Sequence, residues 1–176
     1  SEGKKNQTVA KKQYSKEEEA RIANYLKHYE KRLAKFTSKK DSSGKRLIST
    51  DEKDNILALV KMAEALGTPD GGLQNYFITQ AVSTFRTCSS SKDISNSELA
   101  EFVNHSLAIL QGITPQDEVE GMLAVQMIGV HNLAMETMRR AMIIDQTPIG
   151  KQENINQATK LLRTFTAQME ALKKYR

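Results

Sequence analysis

The side chains with the richest chemistry sit together on one stretch. Met127, His131 and Met135 stand at i, i+4 and i+8, which puts them on one face of a helix. Thioether sulfur with imidazole would suit a copper-like ion. Three ligands stacked along one helix do not surround an ion, however. The same face is also the centre of a wide apolar arc. The expectation is therefore a buried, metal-free His131, neutral at pH 7, because an uncompensated charge in an apolar core is costly. Glu101 and His105, also four apart, read as a surface pair, since the Glu-x-x-His pairs of di-iron bundles are absent. His28 has no evident partner. Cys88 lies among serines without a histidine nearby and reads as a spectator. Gly71-Gly72 lacks the Lys-Ser/Thr of a phosphate loop and reads as a turn. Arg139-Arg140 could hold phosphate, but complementing the negative end of a helix dipole is the favoured reading. No carboxylates pair in a context suited to hydrolysis. No enzyme activity, cofactor or metal is expected.

Charge is the second chemical signal. Residues 1–50 carry 14 Lys/Arg against 6 Asp/Glu, a balance of +8, and the remainder carries 12 against 15, a balance of −3. The basic half can meet a polyanion, and Lys27, Lys31, Lys35, Lys39 and Lys40 are the candidate nucleic-acid contacts. The competing reading is a solvated, solubilising arm.

The elements that must carry these residues follow from periodicity. Residues 1–14 have none and are expected to be a disordered basic tail. Ser15-Lys-Glu-Glu18 has the form of a capping box, and Ile22, Leu26, Tyr29, Leu33 and Phe36 make a heptad-like stripe on a first helix over about 16–37. Thr37 to Ser49, with Ser42-Ser43-Gly44, reads as a linker, so residues 15–48 are expected to be a basic amphipathic helix plus linker, with the bundle domain over 49–176. Ser49 to Glu52 and Ser95 to Glu98 are further capping boxes, and Gly67 and Gly112 stop the helices that precede them. The longest apolar stretch, Thr114 to Ile144, predicts one helix of roughly 28 residues, capped by Thr114 with Pro115 at its first position. Apolar residues on both its sides predict a long, buried central helix. The last helix, about 152–175, repeats Ile155, Ala158, Leu162, Phe165, Met169 and Leu172 at 3-4-3-4-3 spacing. The fold class is all-α, a bundle of about six helices with a basic N-terminal helical arm.

One stripe predicts an interface. Met122, Val125, Gly129 and Leu133 lie on the side of the central helix away from its main arc. Gly129 inside a helix costs about 1 kcal/mol relative to alanine, which a close neighbouring backbone would explain. That neighbour is either the last helix or a second copy. Self-association as a twofold dimer is the expectation, with cover by the chain's own helices as the alternative.

A single cysteine excludes an internal disulfide and fits a reducing compartment, here cytoplasmic. No run is long and apolar enough to span a membrane, and no signal segment opens the chain, so no membrane partner is expected. The chain opens on Ser1 and closes on Tyr175-Arg176 inside a helical pattern, so either end can be a boundary within something longer.

Glu120-Gly-Met-Leu-Ala-Val-Gln-Met127, His131, Met138-Arg-Arg-Ala141, Lys160-Leu-Leu-Arg-Thr-Phe165 and Gln168-Met-Glu-Ala-Leu-Lys173 together resemble a family of small hypothetical proteins of alphaproteobacterial genomes. Met62-Ala-Glu-Ala-Leu-Gly67 and Leu110-Gln-Gly-Ile113 extend the resemblance more weakly, to cover about 57–176. The family occurs often in prophage or mobile-element settings, has no established activity and so transfers no site residues. The resemblance implies a bacterial source and mobile-element biology. The functional expectation is a non-enzymatic, DNA-associated helical oligomer of a phage or mobile element, such as a small-terminase-like DNA-packaging subunit. The alternative is a protein–protein interaction or assembly module without nucleic-acid binding. No helix-turn-helix turn is visible, since Gly67 is followed by Thr68-Pro-Asp-Gly-Gly72.

Overall fold

A computed structural model of the chain describes residues 14–30, 36–40, 46–50, 55–86 and 95–176. The chain is an all-α helical bundle, with six described helices and one two-stranded hairpin. It divides into two compact units, Ser1–Arg32 and Leu33–Arg176.

The first unit contains α1 (Lys16–Glu30). Its start is the predicted capping box. Ser15 N–H donates to the Glu18 carboxylate at 2.8 Å, and Ser15 Oγ accepts from Glu18 N–H at 3.3 Å. Glu17, Glu18 and Glu19 then sit at the positive end of the helix dipole. Ile22, Tyr25 and Leu26 are all exposed. Of the rest of the predicted stripe, Leu33 lies outside the described residues and Phe36 belongs to a strand.

The second unit runs β1 (Phe36–Lys40), β2 (Arg46–Thr50), α2 (Asn55–Leu66), α3 (Gly71–Arg86), α4 (Asn96–Ile113), α5 (Glu118–Ala141) and α6 (Pro148–Tyr175). The hairpin replaces the linker expected over Thr37–Ser49. β1 and β2 pair antiparallel, Phe36 opposite Thr50 and Lys40 opposite Arg46, and β1 lies beside α4. A search for 3.6-residue periodicity is blind to strands of five residues, and pairing is what satisfies their backbone groups. The capping box expected over Ser49 to Glu52 falls partly outside the described residues. Ser49 is in β2, and Asp51 and Glu52 lie outside the described residues. The hairpin thus belongs with the body, and the division falls at Arg32 rather than after residue 48.

Within the body the local signals explain most helix ends. Gly67 closes α2 with φ +70 and donates to Ala63 O at 2.8 Å. Asp70 starts α3 by accepting from Leu73 N–H at 2.6 Å. Ser95 and Glu98 form the predicted capping box of α4. Thr114 does not cap the central helix. It closes α4 instead, in the left-handed conformation (φ 50), donating its N–H to Leu110 O at 3.0 Å. Asp117 is the N-cap of α5, accepting from Glu120 N–H at 2.9 Å, and α5 ends at Ala141. α6 begins a turn earlier than periodicity predicts, because Thr147 caps it and Pro148 fits the first helical position.

The core gathers Leu66, Phe77, Ala81, Val103, Leu107, Leu110, Ala124 and Ile128 from α2 to α5. α5 is the central helix, packed against α3, α4 and α6. Its burial falls on two arcs rather than all round. Gly121, Val125, Ile128, Asn132 and Glu136 form one, and Ala124, Met127, Ala134 and Thr137 belong to the other. The closest packing is at Gly121. A Cβ there would stand 2.6 Å from Leu66 O and 2.7 Å from the Phe77 ring, so only glycine lets α5 approach this near.

α6 lies chiefly against α5. It turns Asn154, Ala158, Leu161, Phe165, Gln168 and Leu172 inward, at 4-3-4-3-4 spacing. Ile155, Leu162 and Met169, expected in the same seam, are exposed on its flank.

Candidate functional site

The basic candidates are divided between the two units, and some lie outside the described residues. Lys27 is exposed on α1. Lys31 and Lys35 lie outside the described residues. Lys39 and Lys40 close β1, in register with Leu47 and Arg46.

The four interface candidates on α5 separate. Val125 is buried in the core cluster. Gly129 faces α3, where an added Cβ would stand 3.2 Å from Thr84 Cγ2. Beside it, Asn132 Nδ2 donates to Thr84 Oγ1 at 2.9 Å. The neighbour at Gly129 is thus a side-chain methyl of α3, not the close backbone of the last helix or a second copy that the glycine suggested. Met122 and Leu133 remain 49% and 46% exposed. They lie in a window between the two buried arcs.

His131 is exposed, against the expectation of burial. Its face is shared with α6 rather than enclosed. The imidazole stands over Phe165, ring centroids 6.0 Å apart and planes tilted by 52°. Met135, one turn on, is also exposed. Burial on that arc ends here because one helix cannot cover all of it. Among the described residues no three His, Cys, Asp or Glu side chains are placed to share an ion.

Two charged arrangements escaped the sequence reading. The first joins the start of α5 to the end of α6. Glu120 is 2% exposed. It accepts from Gln116 N–H at 2.9 Å and from Arg176 Nη2 at 2.9 Å. Arg176 Nη2 also donates to the carbonyls of Ile113 and Thr114, which accept in addition from Thr114 Oγ1 and Gln116 Nε2 respectively. Tyr175 Oη donates to Asp117 Oδ2 at 2.9 Å. The Arg176 hydrogen bonds lower the Glu120 pKa against the opposing effect of burial, and the same bonds raise that of Arg176. Asp117 is lowered by the Glu120 N–H it caps and then by Tyr175, whose own pKa the pairing raises. No local signal announces this latch, because its partners are 56 and 58 residues apart.

The second arrangement closes the other end of α5. Glu136 is buried and accepts from Arg139 Nε at 2.8 Å and Arg140 Nε at 2.8 Å. These bonds bring its pKa from 4.5 to about 2. The guanidinium groups are half or more exposed; Arg139 grips the buried carboxylate with Nε and Nη2, and Arg140 with Nε alone. This one was legible as Glu-x-x-Arg-Arg, the i+3 and i+4 spacing of helical ion pairs. Arg139 and Arg140 are thereby engaged, as neither the phosphate nor the dipole reading required.

Beside the latch lies an open cleft of about 370 Å³, lined by Ile113, Met127, Met169 and Leu172, with Lys173 at its edge. No helix among the described residues is long and apolar enough to cross a membrane. No protein-family model, curated protein or solved structure matches the chain.

Proposed function

We propose that this chain works by assembly rather than catalysis, as a helical module that associates through apolar helix faces. The observation that carries the reading is how much large apolar surface the body leaves in water. Ile56, Leu59 and Val60 on α2 are exposed, as are Met135 on α5, Ile143 and Ile144 at the turn, and Ile149, Ile155, Leu162 and Met169 on α6. Scattered exposed apolar residues need no explanation, but runs of them along helices mark interaction surfaces. Multi-angle light scattering across a concentration series tests it. A mass above the 19.7 kDa of one chain, rising with concentration, is the expected result. A single-chain mass at high micromolar concentration removes self-assembly.

A second reading, the DNA-associated oligomer of a phage or mobile element, rests on the basic first unit and on exposed Lys27. In it the arm engages backbone phosphates while the body assembles, as a DNA-packaging subunit would. Affinity for duplex DNA should then fall by roughly 0.9 log units per log unit of salt for each phosphate neutralised, with weak sequence preference. Removing residues 1–32, the first unit, spares the hairpin and should weaken binding while leaving the helical body folded. Undiminished binding by that truncation would refute the arm as the site.

A further inference from the structure

α6 carries two helical seams and uses only one. The seam of Asn154, Ala158, Leu161, Phe165, Gln168 and Leu172 is spent on α5. On its flank run Ile155, Thr159, Leu162, Thr166 and Met169, at 4-3-4-3 spacing, all exposed. Ile155, Leu162 and Met169 are 42%, 43% and 53% exposed. The two threonines do not break the apolar character of this second seam. Thr159 Oγ1 donates to Ile155 O at 2.9 Å and Thr166 Oγ1 to Leu162 O at 3.1 Å. With both hydroxyls turned back to their own helix, the seam can present their methyl groups. A five-residue apolar seam at this spacing is what a second helix packs into.

We propose that the flank seam of α6 is a homodimer interface, in which two α6 helices pair antiparallel about a twofold axis at Leu162. This deepens the assembly reading and rests on it. The seam is its own complement. Ile155 and Met169 lie seven residues either side of Leu162, so a twofold axis there sets Ile155 against Met169 of the partner copy and Leu162 against itself. No charged residue occupies the seam between them. The 28 residues of α6 give a helix about 42 Å long, and with α5 beside it a face about 20 Å wide. That is roughly 800 Å² per partner, the size of a standard interface. Beside Met169 the face continues into the cleft lined by Ile113 and Met127, so apolar surface extends past the seam itself.

Electrostatics then gives the sign of a test. α6 carries Lys151, Lys160, Arg163, Lys173 and Lys174 against Glu153 and Glu170. The antiparallel pairing sets Lys151 opposite Lys173 of the partner copy, beyond the ends of the seam, where their stems can lie along apolar surface and their amines stay in water. Raising salt screens this like-charge repulsion. The dimer should therefore tighten as NaCl rises, whereas an assembly bridged by acidic helices or by DNA should loosen.

The experiment uses the full chain, with sedimentation equilibrium as the readout. Leu162→Lys places two like charges on the axis and should raise the dimer dissociation constant at least about 100-fold. Helicity and cooperative unfolding should not change, because Leu162 is half-exposed in the folded chain. Leu133→Lys, on the other exposed window of α5, should leave the dimer intact. Disulfide trapping fixes the geometry in a Cys88→Ser background. Leu162→Cys should cross-link to itself. Ile155→Cys should not, but should cross-link to Met169→Cys when the two are mixed. An oligomer that survives Leu162→Lys, or one dispersed by NaCl, overturns the α6 seam and leaves assembly standing through another face. Self-linking of Ile155→Cys in preference to Leu162→Cys overturns the antiparallel axis. A chain monomeric at every concentration and salt overturns the seam and the assembly reading together.

Discussion

The two sides of α5 are built to different tolerances. Toward α2 and α3 its backbone comes so near that a hydrogen is all Gly121 can carry, and the neighbours are a carbonyl and a buried phenyl ring. Toward α6 the packing is loose enough for His131 and Met135 to stay in water. Both sides are apolar in sequence. The difference is that α2 and α3 converge on the first side at Gly121, whereas α6 lies lengthwise along the second. Close packing needs cover from more than one direction. A helix laid along another leaves flanks, and flanks are where further partners attach.

That contrast predicts a descending series. Gly121→Ala should be the most damaging single change, costing about 3 kcal/mol or more, since the clash is with the Leu66 backbone and cannot be relieved by a rotamer change. Denaturant titration reads it, and a loss below 1 kcal/mol would mean that the α2–α5 contact yields. Arg176→Ala comes next. It strips the main partner from buried Glu120 and one of two donors from each of the Ile113 and Thr114 carbonyls, but the arginine is itself 38% exposed, so the expected cost is about 2 kcal/mol after discounting for solvent screening. Arg176→Lys should recover only part, because an ammonium cannot reproduce the fork.

Acid tests the far end of α5. Glu136 binds its proton more weakly in the folded chain, with a pKa of about 2 against an ordinary 4.5. Its ion pairs therefore stabilise the fold fully above about pH 4.5, and this contribution is lost as pH falls from there toward 2. Glu136→Gln should flatten that part of the stability–pH profile. An unchanged slope would show that the two arginines contribute little in solution.

The smallest effects belong to the loose side and to the glycine that sequence reading singled out. Gly129→Ala meets only the Thr84 methyl at 3.2 Å, and gains up to about 1 kcal/mol of helix propensity, so its net effect should lie within about 1 kcal/mol of zero. Met135→Lys, on the face beside α6, should change stability by less than about 0.5 kcal/mol. A large loss in either would mean that the second side is tighter than its exposure indicates.

The two glycines show what could be read in advance. Gly121 and Gly129 are eight residues apart on one helix and look alike in sequence. The sequence reading attached a close neighbour to Gly129, and the closer one is at Gly121. Of the four interface candidates, Val125 is core and Gly129 meets α3, while Met122 and Leu133 keep exposed faces. Spacing puts residues on a common stripe, but a stripe tens of degrees wide can straddle the edge of a neighbour.

By itself the sequence determined the helices, the Ser15 and Ser95 capping boxes, and the stop at Gly67. Each is settled within about four residues of chain, where hydrogen-bond reach and backbone strain leave one outcome. Tertiary structure alone decided which seam of α6 faces α5, that His131 stays in solvent, and that Arg176 closes over Glu120 from 56 residues away. Those outcomes depend on which distant element arrives at a face, and a side chain's spacing along its own helix carries no information about that arrival.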